Sequence, residues 1–464
     1  MTSAARGAWL VYGGIAGIMA VLALLKWMEA VVLAGPVLYG EGAVAHAAIL
    51  TRTLATYVDA GGSTFTAANY PPLYFLLASQ GDPFVIGRLV SIIATLAIAG
   101  LVAWRARTGG RLVAGVLGLG WLALSPVAIW GPAVKPDLVA LVLTASAVVA
   151  LDRRRPGLSA VLLVLAVATK PTAVVPALAL LVWIVWRDRA LLRRFAVAGA
   201  VALAAVAVAL VPFGYADLWR HVVTWNALSW SVESALLLAF LGIVVLAGLI
   251  GAAVVSRGFG GPIGAYAVAG LVIVALGGRE GATINYLLDL AAAGSLALAA
   301  AAPRLARAPL YPVVAIVNLA VAALLLDPLG LVPGRTATTG AWGDPSRLTT
   351  ASVVLARDDL ELVLAEDSGV LIATGHRVVV DDLFLWSRLV ARGTIDPRPL
   401  LADVAGARFT TIVSEVDLAH LDTAPGYERA RWDPSLARAI EDRYRLVLRA
   451  PGGLFIYRPA EQVQ

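Results

Sequence analysis

A single carboxylate, Glu41, stands in the segment Leu38-Tyr39-Gly40-Glu41-Gly42 just after the first long apolar run, with a glycine on either side to free the backbone. A carboxylate held against apolar surroundings keeps its proton more tightly than in water and can act as a general base. The same group could instead cap the helix that follows it. Further on, Asn69-Tyr70-Pro71-Pro72-Leu73-Tyr74 joins a proline-stiffened turn to two tyrosines, which suits a membrane interface and equally a structural turn. Between Tyr215 and Trp230 the chain interleaves Trp219, Arg220, His221, Trp225, Asn226 and Trp230, a mixture that makes polar contacts or simply forms an aromatic belt. Asp137 and Asp289 lie just inside apolar runs, where a carboxylate is costly unless it has a partner. The histidines His46, His221, His376 and His420 sit at no metal-ligand spacing, and a divalent metal has no support. Cysteine is absent, so disulfides and thiolate metal sites are excluded.

The elements that must position these groups are membrane spans. Hydrophobic residues make up 60% of the 464 and charged residues 14%, a balance that excludes an ordinary soluble protein. Runs long enough to cross roughly 30 Å of hydrocarbon, at about 20 residues each, recur along the first two thirds of the chain. They predict about eleven spans, at 8–34, 84–104, 112–132, 136–151, 157–169, 172–186, 195–213, 233–255, 260–278, 285–302 and 308–326. The two short ones meet at Lys170-Pro171 and read as a tilted pair or a re-entrant hairpin. No short leader core with a small-residue cut site precedes the first run, which is expected to stay as an anchor. Glycine-rich stretches fall inside the runs, where they permit close helix packing, and no Walker loop occurs.

Charge sets the expected orientation. Residues 1–327 hold 21 Lys+Arg, of which 14 fall at one alternating set of span ends, from Arg6 through Arg105, Arg153 and Arg193 to Arg304 and Arg307. That face is cytoplasmic by the positive-inside rule, which puts the loop 35–83 and the tail 328–464 outside a plasma or inner membrane. The membrane part carries 21 − 12 = +9 and the tail 15 − 18 = −3. The pI of 9.7 therefore reflects membrane orientation and argues against nucleic-acid binding.

The loop 35–83 is far longer than a connector needs. Its residues 42–57 predict an amphipathic helix along the outer interface. The tail alternates strand signals at 361–365, 377–380, 409–413, 444–449 and 453–457 with helix signals at 348–357, 383–392, 397–404 and 434–442, the pattern of a small extracytoplasmic α/β domain.

An acid after the first span, then Tyr70-Pro71-Pro72-Leu73-Tyr74, then Gly87-Arg88 opening the second span resemble the GT-C membrane glycosyltransferases, in the protein O-mannosyltransferase and aminoarabinose-transferase branch. Lys135-Pro136-Asp137, Lys170-Pro171-Thr172 and Ile284-Asn285-Tyr286-Leu287 extend the resemblance over the whole membrane part. It implies transfer of a hexosyl or pentosyl group, by inversion, from a polyprenyl-phosphate donor to a glycan, lipid or protein acceptor on the outer face, with no required cofactor. Glu41 matches the family's first-loop acid, which would take the proton of the acceptor hydroxyl. Many members carry two adjacent acids there, whereas here Gly40 precedes Glu41, which argues against a two-acid or metal-bridging site.

A lipid-phosphate leaving group needs cations where charge develops. Lys135 and Lys170, at outer span ends among prolines, are the first candidates. Arg88 and Arg279 follow, because a guanidinium grips phosphate through two bonds. Each could equally snorkel to the interface or pair locally, as Lys135 with Asp137 or Arg279 with Glu280. Tyr39, Tyr70, Tyr74, Asp137, His221, Asn226, Asn285 and Tyr286 complete the expected substrate site. Two other classes compete: a transporter or lipid flippase, which an internal span duplication would favour, and a non-catalytic scaffold, for which Glu41 would be dispensable.

Overall fold

A computed structural model of the protein describes residues 2–33, 35–59, 61–329, 346–355, 362–450 and 453–462. Among them, four helices are long and apolar enough to cross a membrane by length and composition: Ser3–Val32, Pro83–Gly109, Arg189–Phe213 and Val232–Val255. Shorter apolar helices occupy the other expected runs, including Arg111–Ala123, Asp137–Asp152, Pro156–Val167, Pro171–Arg187, Gly261–Leu276, Ile284–Ala300 and Leu310–Leu326. The medium around them is lipid. Leu192–Leu210 buries no residue at all, and Leu236, Leu237, Phe240 and Ile243 point outward from Val232–Val255 at 64–69% exposure. Water would not tolerate so wide an apolar surface.

The two short helices around Lys170 have separate partners. Pro156–Val167 packs between Asp137–Asp152 and Leu192–Leu210, whereas Pro171–Arg187 packs on Gly261–Leu276. A short turn at 168–173 separates them. The break falls where Pro171 lacks the N–H that would continue the first helix, and Lys170 takes an extended conformation there.

Residues 362–459 build a four-stranded sheet in the order β1-β2-β4-β3, with β1 Val363–Ala365, β2 Thr411–Ser414, β3 Tyr444–Ala450 and β4 Leu454–Pro459. The pair β1/β2 is parallel, which requires a crossover, and the helices Ser368–Ala373, Leu383–Ala391 and Arg398–Ala405 supply it. The other two pairings are antiparallel. Helix Ser346–Leu355 covers most of the expected 348–357, of which 356 and 357 lie outside the described residues, as does position 361 at the start of the first expected strand.

Two expectations fail here. Residues 377–380 do not join the sheet; Val380 makes an isolated bridge to Phe65 of the first loop, which draws the segment off the sheet and onto the membrane part. The expected interfacial helix 42–57 is Glu41–Thr51, and it is buried on nearly every side. Gly42, Ala43, Ala45, Ala47 and Ala48 leave it thin enough to fit between other helices. Against it lies Ser368–Ala373, a helix with no counterpart in the sequence reading. The contact is made backbone to backbone: a Cβ placed on Gly42 would stand 2.1 Å from the Gly369 nitrogen. Phe65, Ala67 and Trp225 from outer loops enter the same hydrophobic cluster as Leu364, Trp386, Phe409 and Ile412, so the sheet layer and the loops share one core.

Candidate active site

Glu41 begins its helix directly after Gly40, which takes a left-handed conformation (φ 77°) that suits glycine. The side chain turns inward and is fully buried. One oxygen accepts from the Val134 N–H at 2.7 Å, and the other from the Val37 N–H at 2.8 Å and from Arg88 at 3.0 Å. Arg88 is equally buried and donates to the carbonyls of Ala30, Leu33 and Gly35 besides Glu41. The pair clamps the end of the first span to the second span and to the loop before Lys135. Sequence reasoning offered Glu41 as a base and Arg88 as a phosphate grip; in this conformation both Glu41 oxygens are taken and the terminal nitrogens of Arg88 are spent on backbone and on Glu41. Tyr74, also expected at substrate, is buried with its hydroxyl on the Gly87 carbonyl at 3.0 Å.

A second set converges at the ends of other spans. Lys170, on the turn before Pro171, donates to Asp137 Oδ1 at 2.6 Å. Asn285 donates to the same oxygen at 2.7 Å from the turn Ile284–Leu287, itself held by Thr283 at 2.9 Å. The Tyr286 ring lies 5.3 Å from the Lys170 ammonium. Asp137 is the first residue of its helix, where the N-terminal peptide dipoles favour an anion. Arg279 donates to the backbone and side-chain oxygens of Asn226 at 2.7 and 3.1 Å, and Asn226 in turn ties down the Asn69 carbonyl next to Tyr70. Asp137, Tyr286 and Arg279 all act electrostatically on the Tyr70 hydroxyl. Asp137, Lys170, Asn285 and Tyr286 thus meet at one point, and Arg279 with Asn226 fixes the loop at Asn69-Tyr70. Beside them is a small pocket lined by Asp137, Lys170, Thr172, Asn285 and Asp289.

Lys135 bridges this set and the sheet layer. Its ammonium donates to the Gly40 carbonyl at 2.7 Å, and burial pushes its pKa down against the pull of Glu41, Asp382, Asp137 and Asp367. A Cβ on Gly40 would come within 2.9 Å of that ammonium, so the lysine fills the space that a side chain at position 40 would need. Tyr39 turns away from the pocket. Its hydroxyl accepts from the Phe384 N–H at 3.1 Å, and Arg431, paired with Glu366 and Glu415, stacks 4.1 Å from its ring. His221 lies apart, packed 4.2 Å from the Trp225 ring with no hydrogen bond to either ring nitrogen; burial lowers its pKa to about 4.

The acids around Lys135 escaped the sequence reading. Burial pushes Asp367 up to about 8, with Glu415 adding to the effect, and raises Asp382, Asp381 and Glu366 as well. The adjacent acids Glu366-Asp367 at the end of a predicted strand, and Asp381-Asp382 before a predicted helix, were the available signal. No group of three or more metal-ligating side chains occurs among the described residues.

No protein-family model matches the sequence, and no curated protein does. Solved structures do match. ArnT from Cupriavidus metallidurans bound to undecaprenyl phosphate is similar over 96% of this chain and 98% of its own, with TM-score 0.58 and 14% identity. The fold is GT-C. ArnT in the apo state gives TM-score 0.59, again at 14% identity, over 96% of this chain and 97% of its own.

Proposed function

We propose that the protein is an integral membrane glycosyltransferase that moves a hexosyl or pentosyl group from a polyprenyl-phosphate carrier to a glycan, lipid or protein acceptor on the outer face. The N-terminus lies in the cytoplasm and residues 328–464 form an extracytoplasmic domain of a plasma or inner membrane, the orientation that the distribution of arginines favours. The observation that carries the reading is the meeting of Lys170 with Asp137 and Asn285 at the ends of apolar helices, with Arg279 held on Asn226 beside the Asn69-Tyr70 loop, in a fold whose solved neighbour holds undecaprenyl phosphate. Two cations in apolar surroundings give a departing lipid phosphate its counter-charge. The lipid tail enters from the bilayer, which explains why the site sits against spans and needs no nucleotide-binding loop. Lys135, confined by carboxylates, enters as a bridge to the outer domain, and Glu41 with Arg88 as the clamp that fixes the first loop. No metal or other cofactor is part of the reading.

Undecaprenyl phosphate binding to the purified protein tests it. Lys170→Met removes one cation, and its affinity should fall by about tenfold or more, the scale of a lost charge-assisted contact. Equal affinity in wild type and variant would remove Lys170 from the phosphate site, and no binding by wild type would overturn the donor assignment.

A further inference from the structure

Tyr39 stands two residues before Glu41 and is gripped from the sheet layer. Its hydroxyl accepts from the Phe384 N–H at 3.1 Å, the Tyr427 ring meets it edge-on with centroids 6.1 Å apart, and the Arg431 guanidinium lies 4.1 Å over its ring. That guanidinium also lies 4.9 Å over Tyr427, so two rings share it. Arg431 is itself fixed. It donates to Glu366 at 2.9 Å and to Glu415 at 2.6 Å, and Glu366, directly after β1, further accepts from the Ser414 hydroxyl, the Glu415 N–H and the Trp432 indole. A buried guanidinium tied to two carboxylates still offers its flat face to an aromatic ring, which an ammonium cannot do. The flanks of the same turn are backed by helix Ser368–Ala373: a Cβ on Gly369 would stand 2.6 Å from the Pro36 ring, and one on Gly42 would stand 2.1 Å from the Gly369 nitrogen. From the membrane part the turn is held by Lys135 on the Gly40 carbonyl and by Glu41 on the Val134 N–H. Residues 36–42 are thus pinned between the two parts of the chain, and Tyr39 is the side chain through which the sheet layer takes hold of them.

Resting on the glycosyl-transfer reading above, we propose that Arg431 is a positioning residue for transfer: stacked on Tyr39, it sets the turn from Leu38 to Glu41 and, through the Gly40 carbonyl, the Lys135 ammonium that stands two residues ahead of Asp137. The sheet layer thereby takes part in the reaction without contributing a group to the reacting atoms. Stacking does the holding as much as charge. A lysine at 431 keeps the charge that Glu366 and Glu415 require and loses the flat face that Tyr39 requires.

The test compares Arg431→Lys, Tyr39→Leu, Tyr39→Phe and the double variant Y39L/R431K. Cell membranes containing the full-length protein are supplied with undecaprenyl-phosphate-linked radiolabelled hexoses and pentoses, rates at saturating donor are divided by the amount of folded protein, and undecaprenyl phosphate binding is measured on the purified protein. R431K and Y39L should each lower kcat by about tenfold or more, the scale of a small displacement in a reacting constellation, while undecaprenyl phosphate affinity stays within about threefold. Y39F keeps the stacked ring and should return kcat to within about threefold of wild type. The double variant should lose no more than the worse single variant, because both changes break one contact. Losses that multiply in the double variant, or a parallel fall in undecaprenyl phosphate affinity, would overturn the assignment, as would kcat within about threefold of wild type in folded R431K and Y39L. If R431K does not fold, the Tyr39 pair decides: equal kcat in Y39L and Y39F refutes the stacked ring as the route. Absence of transfer by wild type from every donor would instead sink the glycosyltransferase reading itself.

Discussion

Replacing Glu41 by Gln separates a clamp from a base, because the two roles predict losses in different measurements. Glu41 receives N–H donors on both oxygens: Val134 at 2.7 Å on one, Val37 at 2.8 Å and Arg88 at 3.0 Å on the other. A glutamine keeps one acceptor and gains two donors, so whichever way the amide turns, an N–H faces an N–H in a buried site. One orphaned buried donor costs about 1–3 kcal/mol, and a lost hydrogen bond to a charged group about 1.5–3 kcal/mol. The carbonyls of Ala30, Leu33 and Gly35 still hold the guanidinium, which limits the damage. Together these terms give about 3–5 kcal/mol, the range seen when one partner of a buried ion pair is removed. Reversible unfolding of the purified protein in mixed micelles should show E41Q less stable by that amount, with turnover lost only as the folded fraction falls. An E41Q protein as stable as wild type, yet slowed by about 100-fold or more, would mean that the carboxylate works on substrate and that the clamp argument is wrong.

Two further perturbations probe the junction between the membrane part and the sheet layer. Gly42→Ala sets a methyl 2.1 Å from the Gly369 nitrogen and 2.7 Å from its Cα, so two backbones must part; unfolding should show a loss of about 1–3 kcal/mol or more. The control Gly7→Ala, whose added Cβ meets nothing within 4 Å, should be neutral or stabilising by about 0.5–1 kcal/mol. Equal stabilities would dismiss the close approach. Asp367 titrates from its ordinary 3.8 up to about 8, so between those values the folded chain holds a proton that the unfolded chain has released. Its contribution to stability is therefore full below about pH 4, declines as pH rises through the window and is gone above about pH 8. Asp367→Asn preserves the side-chain oxygen that accepts from the Gly369 N–H and should flatten that decline, whereas an unchanged slope between pH 4 and 8 would place the proton elsewhere.

Hydropathy made the helices legible, because lipid forces every span into a continuous apolar run whatever the tertiary packing. The cations at their ends were legible too, since a charge at a span end is too costly to be casual. Partner choice was not. Neighbours in sequence suggested Lys135 with Asp137 and Arg279 with Glu280, yet the fold gives Asp137 to Lys170 and sets Glu280 3.8 Å from Arg388. Residues two apart across a helix start project in different directions, whereas residues 33 apart meet when two span ends pack side by side. Glu41 shows the same limit from the other side. The sequence shows an acid between glycines beside a membrane, and that is equally the description of a base open to substrate and of an anion folded back onto the N–H groups of Val37 and Val134. The distinction depends on where Arg88 and Val134 arrive, one from the second span and the other from the loop before Lys135, and no local motif encodes that meeting.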